Sequence, residues 1–286
     1  MTVRRLLVTG ATGFVGGYVC DRAAADYEVF APPRGALTPE RVRAFRPEAV
    51  IHLAAMTSRA DCPRHPAAAE EATLRLSTRL AEASAESVRV FVNVSTDLVF
   101  DGTRGHYSER DETSPTSVYG ASKVAAEHAV RDALGDRAVT ARLALVYGVA
   151  SPGARRPSFA ETMIRRARNG EPTTLCVDEF RSPIYVEDAA RGLLLLAEQG
   201  PPGPVVHLGG PERCSRHEMG VAALEVFGLP GALARNGSAA EAESLVPRPR
   251  DVSLDVSLAR GMGLETLGLR GGFERFRDRM ARYSPG

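Results

Sequence analysis

The sequence predicts an α/β protein built on a doubly wound parallel sheet, with a smaller C-terminal domain folded over its edge. Three observations predict it. Apolar strand-like runs alternate with helical patterns through the first half of the chain, and strands this apolar belong to a parallel sheet covered on both faces. A glycine-spaced turn, Gly10-x-x-Gly13-x-x-Gly16, follows the first run and opens the first helix. With 286 residues, 44% hydrophobic and 25% charged, and a net charge near +1, the chain suits one large domain or two smaller ones, with a sizeable core either way.

Residues 3–9 read as a strand, 13–25 as a helix and 27–31 as a second strand. Thr38 caps a short helix with Pro39 at its first position and Glu40 next, and 49–53 returns as a third strand, completing a βαβαβ unit. Residues 66–85 form an Ala-rich helix, 89–94 a fourth strand, and a long loop follows that carries Tyr107, Glu109, Asp111 and Pro115. A helix over 117–134 leads into a strand over 139–146. The second half is less regular: a helix over 159–169, a strand over 173–177, a helix over 186–199 and a short strand over 205–208. Ser215 and Glu218 form a capping-box pattern opening a helix over 215–227, and 228–246, rich in Gly, Ala and Ser, reads as a mobile loop. Residues 1–150 make the first domain and 151–286 the second, with about 184–208 returning to the first.

This composition excludes a disordered chain, a collagen-like repeat and a polybasic nucleic-acid module. Lys123 is the single lysine among 36 Lys and Arg. A genome rich in G and C replaces Lys by Arg wherever a positive charge suffices; a site needing a compact ammonium of tunable pKa resists that drift, which singles out Lys123. Cys20, Cys62, Cys176 and Cys214 are scattered with no C-x-x-C pair, so neither a zinc site nor a disulfide framework is expected. Reduced thiols and a cytoplasmic location fit this usage. The apolar run after Arg4-Arg5 stops at Thr9-Gly10, too short for a signal peptide, and the longest later run, 193–197, falls far below the ~20 residues a membrane helix needs. Arg165-Arg166-x-Arg168 reads as a solvated helix face, without the aromatic interleaving of a nucleic-acid surface. The histidines do not cluster with carboxylates or cysteines, so no metal site is expected. His52, in an apolar strand, reads as a satisfied core or loop-bracing residue. Asn93-Val94-Ser95 matches a glycosylation sequon inside a strand expected to be buried.

The three glycines permit a tight turn, close approach of backbone to a pyrophosphate, and close helix packing, while the helix N-terminus favours phosphate charge. Dinucleotide binding follows, with Gly10, Thr12, Gly13, Phe14, Val15 and Gly16 at the phosphates. An Asp or Glu after the second strand would select the ribose hydroxyl of NAD. The segment there is Ala31-Pro32-Pro33-Arg34-Gly35, and Arg34 suits a 2′-phosphate, so NADP(H) is preferred over NAD(H).

Tyr119 and Lys123 stand four residues apart near the start of a helix, on one face. A free Tyr titrates near 10, so only about one in a thousand is phenolate at pH 7, and bringing it into the working range takes roughly 4 kcal/mol. A cation one turn away supplies part of that, and an ammonium suits the place better than a guanidinium fork.

With Thr9-Gly10-x-x-Gly13-x-x-Gly16, His52-Leu53-Ala54-Ala55, Ser95-Thr96-Asp97 and Tyr119-x-x-x-Lys123, the chain resembles the extended short-chain dehydrogenase/reductases. Residues 95–102, Tyr107-x-Glu109, Pro115, Tyr119-Gly120, Ser122-Lys123, Glu127, residues 142–148, Ser182-Pro183-x-Tyr185-Val186-x-Asp188 and Arg248-Pro249-x-Asp251 look like its dTDP-4-dehydrorhamnose reductase branch. The resemblance covers about residues 3–260 and implies a Rossmann domain, with the ligands meeting in a crevice below the substrate segments. It implies that Tyr119 donates a proton to a substrate carbonyl, that Thr96 hydrogen-bonds the same oxygen, and that Lys123 holds the cofactor ribose and lowers the Tyr119 pKa. Leu53, Ala54, Ala55 and Thr57 would line the cofactor site, and Asp97 would meet the substrate or brace its loop.

The chain departs from that branch in carrying Leu98 for a usual Tyr, Leu145 for a usual Trp, and Arg181 for a usual Gly. The two leucines imply a different or more apolar sugar. Arg181, in place of a solvated turn residue, would grip a nucleotide diphosphate as in other extended members, with Arg248 and Arg250 serving similarly. Relatives that dehydrate carry two carboxylates after the Thr; here the triplet is Thr96-Asp97-Leu98, which favours ketone reduction or epimerisation. The expected function is NADPH-dependent reduction of a keto group on a nucleotide-linked deoxysugar, by a cytoplasmic protein compatible with a homodimer. An epimerase or dehydratase, and a non-catalytic NADP-binding regulatory subunit, are the alternative readings.

Overall fold

A computed structural model describes residues 4–33, 35–57, 61–151, 157–200, 202–241 and 248–283. In chain order its elements are β1 (Arg4–Thr9), α1 (Phe14–Ala23), β2 (Tyr27–Phe30), α2 (Pro39–Phe45), β3 (Ala49–His52), α3 (Asp61–Arg64), α4 (Pro66–Glu70), α5 (Leu76–Ser84), β4 (Val90–Thr96), α6 (Val118–Leu134), β5 (Ala138–Leu143), β6 (Val146–Tyr147) and α7 (Phe159–Arg168). There follow β7 (Thr173–Cys176), β8 (Phe180–Arg181), β9 (Ile184–Tyr185), α8 (Val186–Gln199), β10 (Val205–Leu208), β11 (Cys214–Ser215), α9 (Arg216–Val226), β12 (Ala234–Gly237), α10 (Ser257–Gly261) and α11 (Leu269–Tyr283).

Six strands form a parallel sheet in the order β10-β5-β4-β3-β1-β2. Period-two alternation divides their side chains between two apolar layers. Leu7, Val50 and Phe91 pack with Val42, Leu80 and Val130 from α2, α5 and α6; Leu6, Val8, Ile51 and Val92 pack with Val19 from α1 and Leu193 from α8. Burial on both faces explains why the middle strands are buried along their whole length, β4 even where Asn93 and Ser95 alternate with valines. The chain leaves β1 in one direction to form β2 and in the other to form β3, so the switch point, where such sheets hold ligands, lies beyond the ends of β1 and β3.

Part of the second half joins this layered sheet, with α8 packed beside α1 on one face. Val205 to Leu208 pair in register with Thr140 to Leu143, so β10 closes the central sheet. The remaining strands form two-stranded ladders, β8 with β11, β7 with β12, and β6 with β9. Met163 of α7, Leu224 of α9 and Phe273 and Phe276 of α11 share one core with the sheet. No helix among the described residues is long and apolar enough to cross a membrane.

Four sequence expectations change. The strand expected over 139–146 stops at Leu143: the Ala144 N–H still reaches the Leu208 carbonyl at 2.9 Å, but Val146–Tyr147 leaves the sheet to pair with β9. The helix expected over 66–85 is interrupted by a π-helical turn, Glu71–Arg75. Part of the expected loop over 228–246 is the strand β12, parallel to β7; its residues 242–246 lie outside the described residues. The unassigned tail forms α11, whose Leu269, Phe273, Phe276 and Met280 recur at helical spacing and are all buried.

Candidate active site

Gly10 has φ +71°, and a Cβ placed on it would lie 3.0 Å from the Ala54 nitrogen. A Cβ on Gly16 would lie 2.2 Å from the Gly10 carbonyl oxygen. Only glycine lets the first helix close onto the turn and the turn onto the segment after β3. Gly13 caps α1 with no side-chain hydrogen bond, and the first helical turn holds no carboxylate. Among the described residues no side chain caps its N–H groups, which lie at the switch point beside exposed Thr12 and Gly13 and half-buried Phe14 and Val15. That donor set fits an anion such as a pyrophosphate. Across the crevice, Leu53 and Ala54 donate to the Thr9 carbonyl and to Thr9 Oγ1 at 3.3 and 3.2 Å; Ala55 is half-buried and Thr57 exposed. Arg34 lies outside the described residues.

The end of β4 supplies Thr96, and a 3₁₀ turn, Asp97–Val99, follows it. Ser117 caps α6, accepting from the Gly120 N–H at 3.1 Å. A Cβ on Gly120 would lie 2.4 Å from the Leu98 carbonyl oxygen, so the start of α6 is clamped against that turn. The clamp brings the Tyr119 phenol into a side-chain hydrogen bond with Thr96. One turn on, Lys123 Nζ donates to the Val94 carbonyl at 2.7 Å. The structure thus gathers Thr96, Tyr119 and Lys123 at the carboxyl end of the sheet's middle.

Burial pushes the Tyr119 phenol well above its ordinary range, the Asp97 charge pushes it further, and the Thr96 hydrogen bond opposes both only in part. The expectation that Lys123 lowers this pKa is therefore corrected: in the enclosed site desolvation wins, and the phenol keeps its proton at neutral pH. Lys123, 3% exposed, is pulled down to about 8 by the same burial, against the raising effect of Glu127. Glu127 in turn binds Arg142 at 2.8 Å and accepts from the Ser95 hydroxyl. Asp97 is buried and its carboxyl is raised, chiefly by desolvation, with Arg181 the main opposing charge.

Arg181 is neither the solvated turn residue nor a free cation. It is 4% exposed, and its guanidinium donates to Glu179 at 2.9 Å and to the carbonyls of Phe180 and Pro249, with its Nε 4.0 Å from Asp97 Oδ2. Its two terminal nitrogens are spent on protein oxygens, while its Nε faces Asp97 Oδ2 beyond hydrogen-bond distance. Arg248 also pairs with Glu179, at 3.2 Å. Arg216, which sequence reading missed, stacks on the Phe159 ring at 4.0 Å from its centroid. Burial draws its pKa down to about 10, with Glu179 opposing. The capping box that starts α9 was the available signal, since it makes Arg216 the first helical residue. Arg250 is exposed, and its backbone carbonyl accepts from Phe180 at 2.6 Å. Leu98 packs against the Tyr119 cluster, and half-buried Leu145 holds Ile184 through its carbonyl at 2.9 Å.

The chain matches the RmlD substrate binding domain family over residues 4–280. It is 32% identical to dTDP-4-dehydrorhamnose reductase of Mycobacterium tuberculosis, over 85% of this chain and 82% of that protein. It is 29% identical to methionine adenosyltransferase 2 subunit beta of Bos taurus, over 93% and 83% of the two chains. The structure of Bacillus anthracis dTDP-4-dehydrorhamnose reductase in complex with NADP superposes with a TM-score of 0.88, covering 97% of this chain and 100% of that one; at 24% identity this is a likeness of fold.

Proposed function

The chain belongs to the RmlD substrate binding domain family, and from that premise we propose that it is an NADPH-dependent reductase of a keto group on a nucleotide-linked deoxysugar. The observation that carries the reading is the meeting of Thr96, Tyr119 and Lys123 at the end of β4. When bound between the glycine turn and the 53–57 segment, the dinucleotide supplies the hydride. Tyr119 donates its proton to the ketone oxygen, so that the carbonyl becomes a hydroxyl and the phenolate is reprotonated from water. Thr96, beside that phenol, hydrogen-bonds the same oxygen as charge builds on it. Lys123, anchored on Val94, would hold a hydroxyl of the cofactor ribose with its compact ammonium.

Arg216, Arg248 and Arg250 take the diphosphate of the nucleotide, while Arg181 and Glu179 hold the wall behind them. Leu98, packed beside Tyr119, and Leu145 make the sugar site more apolar and favour a deoxygenated sugar. NADH is the lesser cofactor.

The test is turnover: the purified chain with NADPH and a dTDP-linked 4-keto-6-deoxysugar is expected to oxidise NADPH in equal measure to sugar reduced. The similarity to a methionine adenosyltransferase beta subunit supports a second reading, an NADP-binding partner protein. Saturable NADPH binding with no oxidation across a panel of nucleotide keto-sugars would establish that reading in place of the first.

A further inference from the structure

His52 is fully buried at the end of β3 and takes no part in the chemistry above. Its Nδ1 lies 2.6 Å from Thr9 Oγ1 and its Nε2 2.9 Å from Ser77 Oγ. The Ser77 hydroxyl has one hydrogen, and it goes to the Thr73 carbonyl at 2.5 Å, because a carbonyl can only accept. Ser77 Oγ must then accept from His52, so Nε2 carries the ring proton. Nδ1 is left as an acceptor and takes the hydroxyl proton of Thr9, whose oxygen accepts the Ala54 N–H at 3.2 Å. Every hydrogen in the line from Ala54 through Thr9, His52 and Ser77 to Thr73 has one place.

Both ends of the line meet the same segment. Ala54 hangs from Thr9, and Met56 donates its N–H to Thr73 Oγ1 at 3.4 Å. Thr73 is itself fully buried in the middle of the π-helical turn Glu71–Arg75. A π turn inside a helix is a costly irregularity that recurs at functional positions; here it carries the residue that receives both the serine hydroxyl and the loop.

We propose that His52 is a positioning residue: locked as the Nε2–H tautomer, it ties the end of β1, the end of β3 and the π turn together and so sets residues 53–57 at the distance from the glycine turn that a dinucleotide requires. The groups facing the ring leave it no second state. Thr9, Ser77 and the Phe91 ring, its centroid 6.2 Å away, surround it, and the charge of Lys123 and burial disfavour a second proton. The cofactor consequence rests on the function proposed above; the tautomer does not.

Two measurements on the full chain test this. With nitrogen-15 histidine, His52 should show one protonated and one unprotonated ring nitrogen, with the proton on Nε2, unchanged from about pH 5 to about 9. A proton on Nδ1, or titration in that range, overturns the proposal. Ser77→Ala, which removes the acceptor and keeps the ring, should raise the NADPH dissociation constant about tenfold while kcat at saturating NADPH stays within about threefold. His52→Leu should show the same split more strongly; a folded Ser77→Ala that binds NADPH as the wild type does overturns the positioning role. If the wild type binds no NADPH, the functional reading fails instead, and the ring spectrum still decides the tautomer.

Discussion

The ammonium of Lys123 donates to the carbonyl of Val94 at 2.7 Å, inside a site where the lysine is 3% exposed. A buried cation whose hydrogen-bond partner is one backbone oxygen, with the Glu127 charge a turn away, is expensive. The chain keeps it here while it carries Arg at its other 35 basic positions. A guanidinium is larger and planar, and its fork cannot end on one carbonyl of a central strand without displacing the helix that carries it. Lys123→Arg is therefore expected to fold with a lower Tm and to lose at least about a hundredfold in kcat/KM. Wild-type turnover by that charge-conserving variant would remove the ammonium from the mechanism.

Lys123 also sets an alkaline limit. Its proton is held to about pH 8, with burial lowering the pKa and Glu127 raising it. Activity is expected to fall as pH rises through that value, and Glu127→Gln, by removing the raising charge, should move the limb to lower pH. The stability effect has the opposite sign to that of a stabilised cation. The folded pKa lies below the unfolded value of 10.5, so between about 8 and 10.5 the unfolded chain holds more protons, and this lysine's contribution to stability rises with pH across that window. Urea midpoints of the wild type and Lys123→Met, compared across the window, isolate the effect.

Tyr119 has the complementary behaviour. Its phenol is kept protonated by burial and by Asp97, which suits a proton donor. Tyr119→Phe should lower kcat by about 10²–10⁴-fold and leave the NADPH dissociation constant within about threefold, read by fluorescence titration and single-turnover rates. Equal loss of binding and rate would mean that the residue shapes the cofactor site and donates nothing.

What could be read in the sequence is what local spacing encodes. Gly10-x-x-Gly13-x-x-Gly16, Tyr119-x-x-x-Lys123, the Thr38 and Ser215 caps and the apolar strands each span one or two turns of chain, and backbone geometry turns such spacings into structure almost alone. The direction of the Tyr119 pKa could not be read, because it depends on how completely α4, the 97–99 turn and α6 enclose the ring. Glu179, Arg216 and Arg248 likewise come together only through the β8–β11 ladder and the return of the chain at Arg248. The Leu269, Phe273, Phe276 and Met280 stripe was present in the sequence, but dense arginines on the other face of α11 masked it.

Arg216 is expected to serve the nucleotide and not the cofactor. It stacks on Phe159 at 4.0 Å, and Phe159 is among the few large apolar side chains left exposed. Arg216→Ala should raise KM for the nucleotide sugar about tenfold or more while NADPH affinity is kept, and Arg216→Lys should recover only part, since an ammonium does not stack on the ring as a guanidinium does. A rise in the NADPH dissociation constant matching the rise in KM would place Arg216 on the wrong side of the crevice.

Glu179 is the anion on which this wall depends. Desolvation alone would raise its pKa, yet Arg181, Arg216 and Arg248 together hold it below the usual carboxylate range. Its stabilising contribution is present above the unfolded carboxylate pKa and is lost as pH falls through the lower folded value. Glu179→Gln leaves three guanidiniums facing one another around a neutral amide, one of them, Arg181, almost wholly buried. Removing one partner of a buried pair costs about 3–5 kcal/mol, and losses near the lower end are expected because Asp97 still faces Arg181 at 4.0 Å. Arg248→Ala breaks a pair that is one-third exposed on the arginine side, and water can take its place, so about 1 kcal/mol or less is expected. Urea unfolding of the two variants reads the contrast directly. Similar losses in both would show that Glu179 is held at the rim by Arg248 and not in the interior by Arg181.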